Sequence, residues 1–279
     1  MMGITKRSIT QLDFASSKWT KEIANFKKFK RDVNGDFFKN ERFAIDEFLR
    51  SGNNGFLRLY SLLSGIYSEI AVYNHLDSEN RPDIVHYTYL SGQALLTAKR
   101  IYEKGVRVGV EHLDRIVKNS IEQGFERALF QMIAVDRIDD PWLSVAENHL
   151  ILLMYYNRYD QARAILEQLP ESSNGLEQQE KLLSIALKPI YYAIINHDEE
   201  TFNCELALRI KEYRRSMIGY STLLDIPAVA LIKIAERAGI RSFIDVVEIP
   251  KVFFNIPKEF TSNLELPYFQ QFRAWFAEQ

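Results

Sequence analysis

The stretch Asp136-Arg137-Ile138-Asp139-Asp140 holds the densest acid in the sequence, and clustered carboxylates are what a magnesium–diphosphate enzyme needs. That chemistry requires the carboxylates on one helical face, aimed into an apolar cavity and matched by a second metal motif. Pro141 instead sets Asp139 and Asp140 at a helix start, where acids stabilise the positive end of the helix dipole. The five histidines (His75, His86, His112, His149, His197) form no HExxH or comparable ligand pair. There is no GxSxG, no glycine-rich phosphate loop and no dinucleotide fingerprint. Cys204 lies in a predicted helix beside Glu205, which disfavours a thiolate, so it reads as a packing residue. No catalytic residue, metal or cofactor is expected.

Charge is more informative than chemistry. Lys plus Arg total 35 against 37 Asp plus Glu, which excludes the global basicity of a non-specific nucleic-acid binder. Locally the charges segregate. From Lys18 to Arg31 six bases face one acid, with Trp19, Phe26 and Phe29 between them; helical spacing of Trp19, Ile23, Phe26 and Lys30 makes this an amphipathic helix with a solvated basic face. From Glu122 to Glu205 fifteen acids face six bases, concentrated in Asp136 to Glu147 and Asp198 to Glu205. Such a segment can focus a negative field.

The elements that must position these charges are helices. Only 12 glycines and 8 prolines occur in 279 residues, too few to punctuate a many-stranded sandwich or barrel. Leu59, Leu62, Leu63, Ile66, Ile70 and Tyr73 recur at helical spacing, in a helix ending near Asp77. A second runs from near Asp83 to Gly105, and further patterns cover about Val110 to Gln123 and Phe125 to Val135. Asp140 and Pro141 read as cap and first-turn proline of a helix through Tyr156. Asn157 to Asp160 is a turn, followed by a helix to Leu169. A long helix from Leu176 to Asn196 is expected to kink at Pro189. Asn196-His197-Asp198 turns into a helix from Glu199 to Arg215. Asp225 caps a helix with Pro227 in its first turn and Gly239 past its end. Phe243 to Pro250 is extended with at most a minor strand, and Pro267 to Phe276 is a final short helix.

Tyr155-Tyr156-Asn157-Arg158 aligns with Ile194-Ile195-Asn196-His197, Asn157 falling on Asn196, and each is an apolar helix end followed by an Asn-basic turn. The expected fold is all-α: stacked antiparallel helical hairpins in an α-solenoid-like bundle. The chain forms one domain, with a possible subdivision into 1–138 and 139–279. Lys6 and Arg7 are followed by no apolar core of a signal peptide before Trp19. With a single cysteine, which forbids an internal disulfide, this points to the cytoplasm.

Three stretches, Leu208 to Tyr220, Leu224 to Gly239 and Val246 to Pro250, resemble the immunity protein 49 family of bacterial polymorphic toxin systems. Ala228 to Gly239 matches that family's Ala/Leu-rich helix, and Glu248-Ile249-Pro250 its closing tripeptide without the tyrosine. A neighbouring group of immunity proteins paired with nuclease toxins has an aromatic–glycine–aromatic helix entry that the stretch near Gly219 and Tyr220 resembles. The resemblance implies a helical immunity protein that silences a cognate toxin domain acting in the cytosol, a cationic nuclease being the expected class, with no direct nucleic-acid or membrane partner. An acidic surface would imitate phosphate and occlude the basic cleft. Asp136, Asp139, Asp140, Asp198, Glu199 and Glu200, all at predicted turns or helix starts, are the expected contact residues. The alternative is a tetratricopeptide-like peptide-binding or scaffold module, presenting Tyr89, Tyr155, Asn157, Tyr191, Tyr192 and Asn196 along its inner helices.

Overall fold

The computed structural model describes residues 39–76, 81–103, 114–138, 143, 148–169, 187–216, 224–246, 248–256 and 265–278. Among them are ten α-helices and no strand, as the composition requires. The basic stretch from Lys18 to Arg31, and Asp139 and Asp140, lie outside the described residues. The chain divides into two compact units. One comprises residues 23–142 and 251–279, the other 1–22 and 143–250. Residues 251–279 thus belong with residues 23–142. The reason is apolar burial within that unit, described next.

In the first unit, helix α1 (39–51) leads through a 3-10 turn, Gly52–Gly55, into α2 (Phe56–Leu76), α3 (Arg81–Glu103) and α4 (Asp114–Ala134). The last helix of the chain, α10 (Phe269–Glu278), completes it. Fully buried Phe272 meets Phe56 and Tyr60 edge-on, each at 5.4 Å between ring centroids. Trp275 lies 5.2 Å from Phe56. Offset and edge-on contacts of this kind add to the area they bury, and Tyr60 also donates to the Pro267 carbonyl at 3.3 Å.

The pairs α2–α3 and α3–α4 are antiparallel, and α3 is buried along most of its length. A polar seam crosses all three helices. Gln131 Nε2 on α4 donates to Ser91 Oγ on α3 at 2.9 Å, and that hydroxyl donates to the Ser64 carbonyl on α2 at 2.8 Å. Gly92 lets α3 and α4 approach closely, since a Cβ there would sit 3.1 Å from Gln131 Cβ and 3.2 Å from Met132 Sδ. The two patterns separated at Gly124 are a single helix. A Cβ at Gly124 would stand 3.0 Å from Leu95 Cδ2, so this glycine serves packing and does not break α4.

The second unit contains α5 (Leu150–Tyr155), α6 (Tyr159–Gln168), α7 (Lys188–Ile195), α8 (Glu199–Ser216) and α9 (Ile226–Arg237). Of the helix expected from Pro141 to Tyr156, residues 141–142 and 144–147 lie outside the described residues, and α5 begins only at Leu150. His149 has extended dihedrals and its Nδ1 accepts from Ile151 N–H, so it caps a helix that starts afresh at Leu150. Pro189 does not kink a long helix. It occupies the first turn of α7, where its missing N–H leaves no ladder bond unmade. Asp225 caps α9 as expected, accepting from Ala228 N–H at 3.1 Å, and Gly239 follows in the left-handed region. The minor strand allowed for Phe243 to Ile249 is not formed among the described residues of that stretch.

Candidate functional site

Three helices of the second unit end alike. After α5, Asn157 has φ 58°; after α7, His197 has φ 53°; after α9, Gly239 has φ 79°. At each, the left-handed residue's N–H bonds the carbonyl of a residue in the last turn (Met154, Ile194, Glu236). The next N–H bonds the carbonyl one position deeper (Leu153, Ala193, Ala235). This is the Schellman arrangement, which satisfies carbonyls that a helix end otherwise leaves unpaired. α4 in the other unit ends the same way, with Asp136 at φ 55°.

These residues correct the repeat register. Asn157 is structurally equivalent to His197, not to the Asn196 with which sequence alignment pairs it, so the repeat is one position longer than it reads. Gly239 marks a third turn of the same series. Neighbouring turns touch through fixed positions. At the second position after the left-handed residue, Tyr159 packs edge-on against the His197 ring at 5.1 Å, and Glu199 holds Arg241. One helical turn later, Arg163 donates to Asn196 Oδ1 at 2.7 Å, and Asn203 holds Arg241 and Phe243. His197 Nδ1 lies 2.9 Å from the Ala238 carbonyl. The result is one continuous edge built from turns far apart in sequence.

The expected contact residues distribute as follows. Asp136 is exposed and lies in the first unit; Asp198, Glu199 and Glu200 lie on the turn edge of the second. Asp198 is the cap of α8: its two oxygens accept from Thr201 N–H at 2.9 Å and Thr201 Oγ at 2.6 Å. Those bonds hold its carboxyl below the ordinary aspartate value. Glu199 accepts from both the backbone and the guanidinium of Arg241. Glu200 is exposed. The edge is not uniformly acidic, because Arg158, Arg237 and Arg241 stand exposed among these carboxylates. The field inferred from net charge along the segment is therefore broken up locally by arginines at the helix ends.

The residues of the peptide-binding alternative also divide. Tyr191 is fully buried and serves the core. Tyr155 carries the Arg237 guanidinium 4.2 Å from its ring centroid, Asn157 accepts from Tyr159 OH at 2.8 Å, and Asn196 accepts from Arg163. Tyr192 is approached by Lys188 at 6.0 Å. Tyr89 belongs to the first unit, hydrogen-bonded to Gln93. Tyr156, 46% exposed, is the most accessible aromatic on the turn edge. Cys204 is half-buried rather than enclosed, and burial, followed by the nearby Glu205, pushes its thiol up.

A charged cluster that the sequence reading did not assemble lies beneath α9. Asp225, fully buried, receives both guanidinium nitrogens of Arg209 at 2.7 and 2.9 Å. Its N–H donates to the carbonyl of Glu248, also fully buried. Burial raises the Asp225 carboxyl above its ordinary range, against the pull of Arg209. Asp225 was legible as a cap; its arginine, on the preceding helix, was not, because nothing in helical spacing singles out Arg209 among its neighbours. Among the described residues no group of His, Cys, Asp and Glu is arranged to hold a metal, and no helix is long and apolar enough to cross a membrane. No family model, no curated protein and no solved structure matches this chain.

Proposed function

We propose that this chain is an immunity protein that binds a cognate bacterial toxin domain in the cytosol and occludes its active site. A nuclease with a basic cleft is the partner class. The observation that supports the reading is the turn edge of the second unit, which carries exposed Tyr156, Asp198 and Glu200 as well as exposed arginines. Aromatic anchors framed by charge are the composition of protein-recognition surfaces. The stretches that carry the family resemblance lie in the same part of the chain. Charge reversal must be placed with care here. Changing Glu199 also releases Arg241, so Glu200→Lys is the clean probe of steering. The test is co-purification from the native host followed by association kinetics with the captured toxin domain. Glu200→Lys should slow association several-fold at low salt and less at high salt. Recovery of no toxin domain, or unaltered association, sinks this reading.

A second reading, the tetratricopeptide-like peptide-binding module, is favoured by one feature: a side-chain amide on α8 that holds a stretch of main chain.

A further inference from the structure

Two side chains one turn apart on α8, Glu199 and Asn203, make three hydrogen bonds to the backbone of the segment after α9, and Glu199 also holds the Arg241 guanidinium. Arg241 N–H donates to Glu199 Oε2 at 3.0 Å. Asn203 Nδ2 donates to the Arg241 carbonyl at 2.9 Å, and Phe243 N–H donates to Asn203 Oδ1 at 2.7 Å. In an extended chain the N–H and C=O of one residue and the N–H two positions on all point to the same side, and a parallel neighbouring strand would use the latter two. The Asn203 amide does what such a strand would do. It is fully buried, and a third bond, from Nδ2 to the Glu199 carbonyl at 2.8 Å, fixes its orientation.

Residues 240–246 are neither helix nor strand. Ile240 and Val246 are buried at the two ends. Between them Arg241 leaves its side chain 79% exposed, with the guanidinium 6.0 Å from the Phe243 ring. Backbone capture with side-chain selection by an apolar residue, a cation and an aromatic two places later is the logic of peptide recognition.

We propose that Glu199 and Asn203 form a binding site for an extended peptide, that residues 240–246 are its resident occupant, and that a partner segment with a basic residue two before an aromatic one exchanges with them. The proposal is independent of the toxin reading, since it is tested with the chain's own sequence. Tethering gives the resident segment an effective concentration of order millimolar, so it must be weakened for a free peptide to register.

The probe is a fluorescein-labelled peptide of residues 240–246, added to the full chain and followed by anisotropy. The variant Arg241→Ala with Phe243→Ala, which keeps every backbone donor, should bind it at least tenfold more tightly than the native chain. A peptide carrying Phe243→Pro, lacking the N–H that Asn203 accepts, should bind at least tenfold more weakly than the native peptide. Adding Glu199→Gln or Asn203→Leu to the weakened chain should lower affinity again, with circular dichroism confirming the helices. In the weakened variant, saturating peptide should raise hydrogen exchange at the chain's own amides at positions 241 and 243. Absence of saturable binding to the folded weakened variant overturns the proposal, as does binding indifferent to Phe243→Pro in the peptide.

Discussion

Arg237, in the last turn of α9, donates from Nε to the Tyr155 carbonyl at 2.9 Å and lays its guanidinium over the ring of the same tyrosine. One side chain thus satisfies the end of α5, 82 residues earlier in the chain. An exposed cation–π contact contributes about 0.5–1 kcal/mol and a net hydrogen bond about 1 kcal/mol. Arg237→Ala should therefore lower stability by about 1–2 kcal/mol in urea denaturation. Arg237→Lys should recover only part of this, because an ammonium can make one of the two contacts but not both. Full recovery by lysine would show that charge alone matters at this position.

Asp198 is expected to act first on α8. Asp198→Ala should cost about 1 kcal/mol, as lost caps do, and Asp198→Asn less. Because the folded state holds this carboxyl below its ordinary value of 3.8, the ionised cap's contribution is complete above that value and is lost as pH falls through the lowered one. The stability difference between native chain and Asp198→Asn should therefore shrink below about pH 4. A difference that does not change with pH would show that the cap acts independently of its charge.

The Arg209–Asp225 pair predicts a pH dependence of opposite sense. Arg209→Leu leaves a buried carboxylate without its cation and should cost about 3–5 kcal/mol at neutral pH. A carboxyl whose folded pKa is raised favours the folded state in its protonated form, so stability from this group rises as pH falls. The loss should be relieved in mildly acidic solution, relative to the native chain at the same pH. Asp225→Asn keeps Oδ1, which accepts from both Ala228 N–H and Arg209 Nη2, and should cost less. Urea denaturation of both variants across pH checks the order.

The left-handed turns separate backbone preference from side-chain use. Glycine at such positions relieves a cost of about 1 kcal/mol. Asn157→Gly should be neutral or stabilising, because the Tyr159 bond it loses is exposed. His197→Gly loses both the contact with the Ala238 carbonyl and the ring packing of Tyr159, two links to neighbouring turns. It should destabilise despite the backbone gain. Thermal melts of the pair decide this, and stabilisation by His197→Gly would mean that the turn edge contributes little to the stack.

Helix positions were legible where apolar spacing and caps agree. Leu59 to Tyr73 and the Asp225–Pro227–Gly239 frame fold as their sequence reads. Misreadings came where one residue type has two uses. Gly124 looked like a break and is a packing site; Pro189 looked like a kink and is a helix start; His149 carried no recognised cap signal yet caps α5. The repeat was visible as an Asn-basic pair, but its register was not, because the left-handed position is filled by Asn, His and Gly in turn. Of the expected contact residues, Asp198 and Glu199 carry local structural duties that formal charge does not reveal. The pairing of Arg209 with Asp225, and of Asn203 with Arg241 and Phe243, joins residues on different elements, and no local pattern encodes it.

The turn edge also has a direction in time. Tyr159 and Arg163 are answered by His197 and Asn196, and Glu199 and Asn203 by Arg241 and Phe243, always by residues further along the chain. During synthesis at roughly 5–20 residues per second, each turn waits about 2–8 s for the stretch of chain that completes it. Every hairpin leaves the ribosome with its contacts to the next turn unmade, and the backbone of residues 241–243 is the last to close the series.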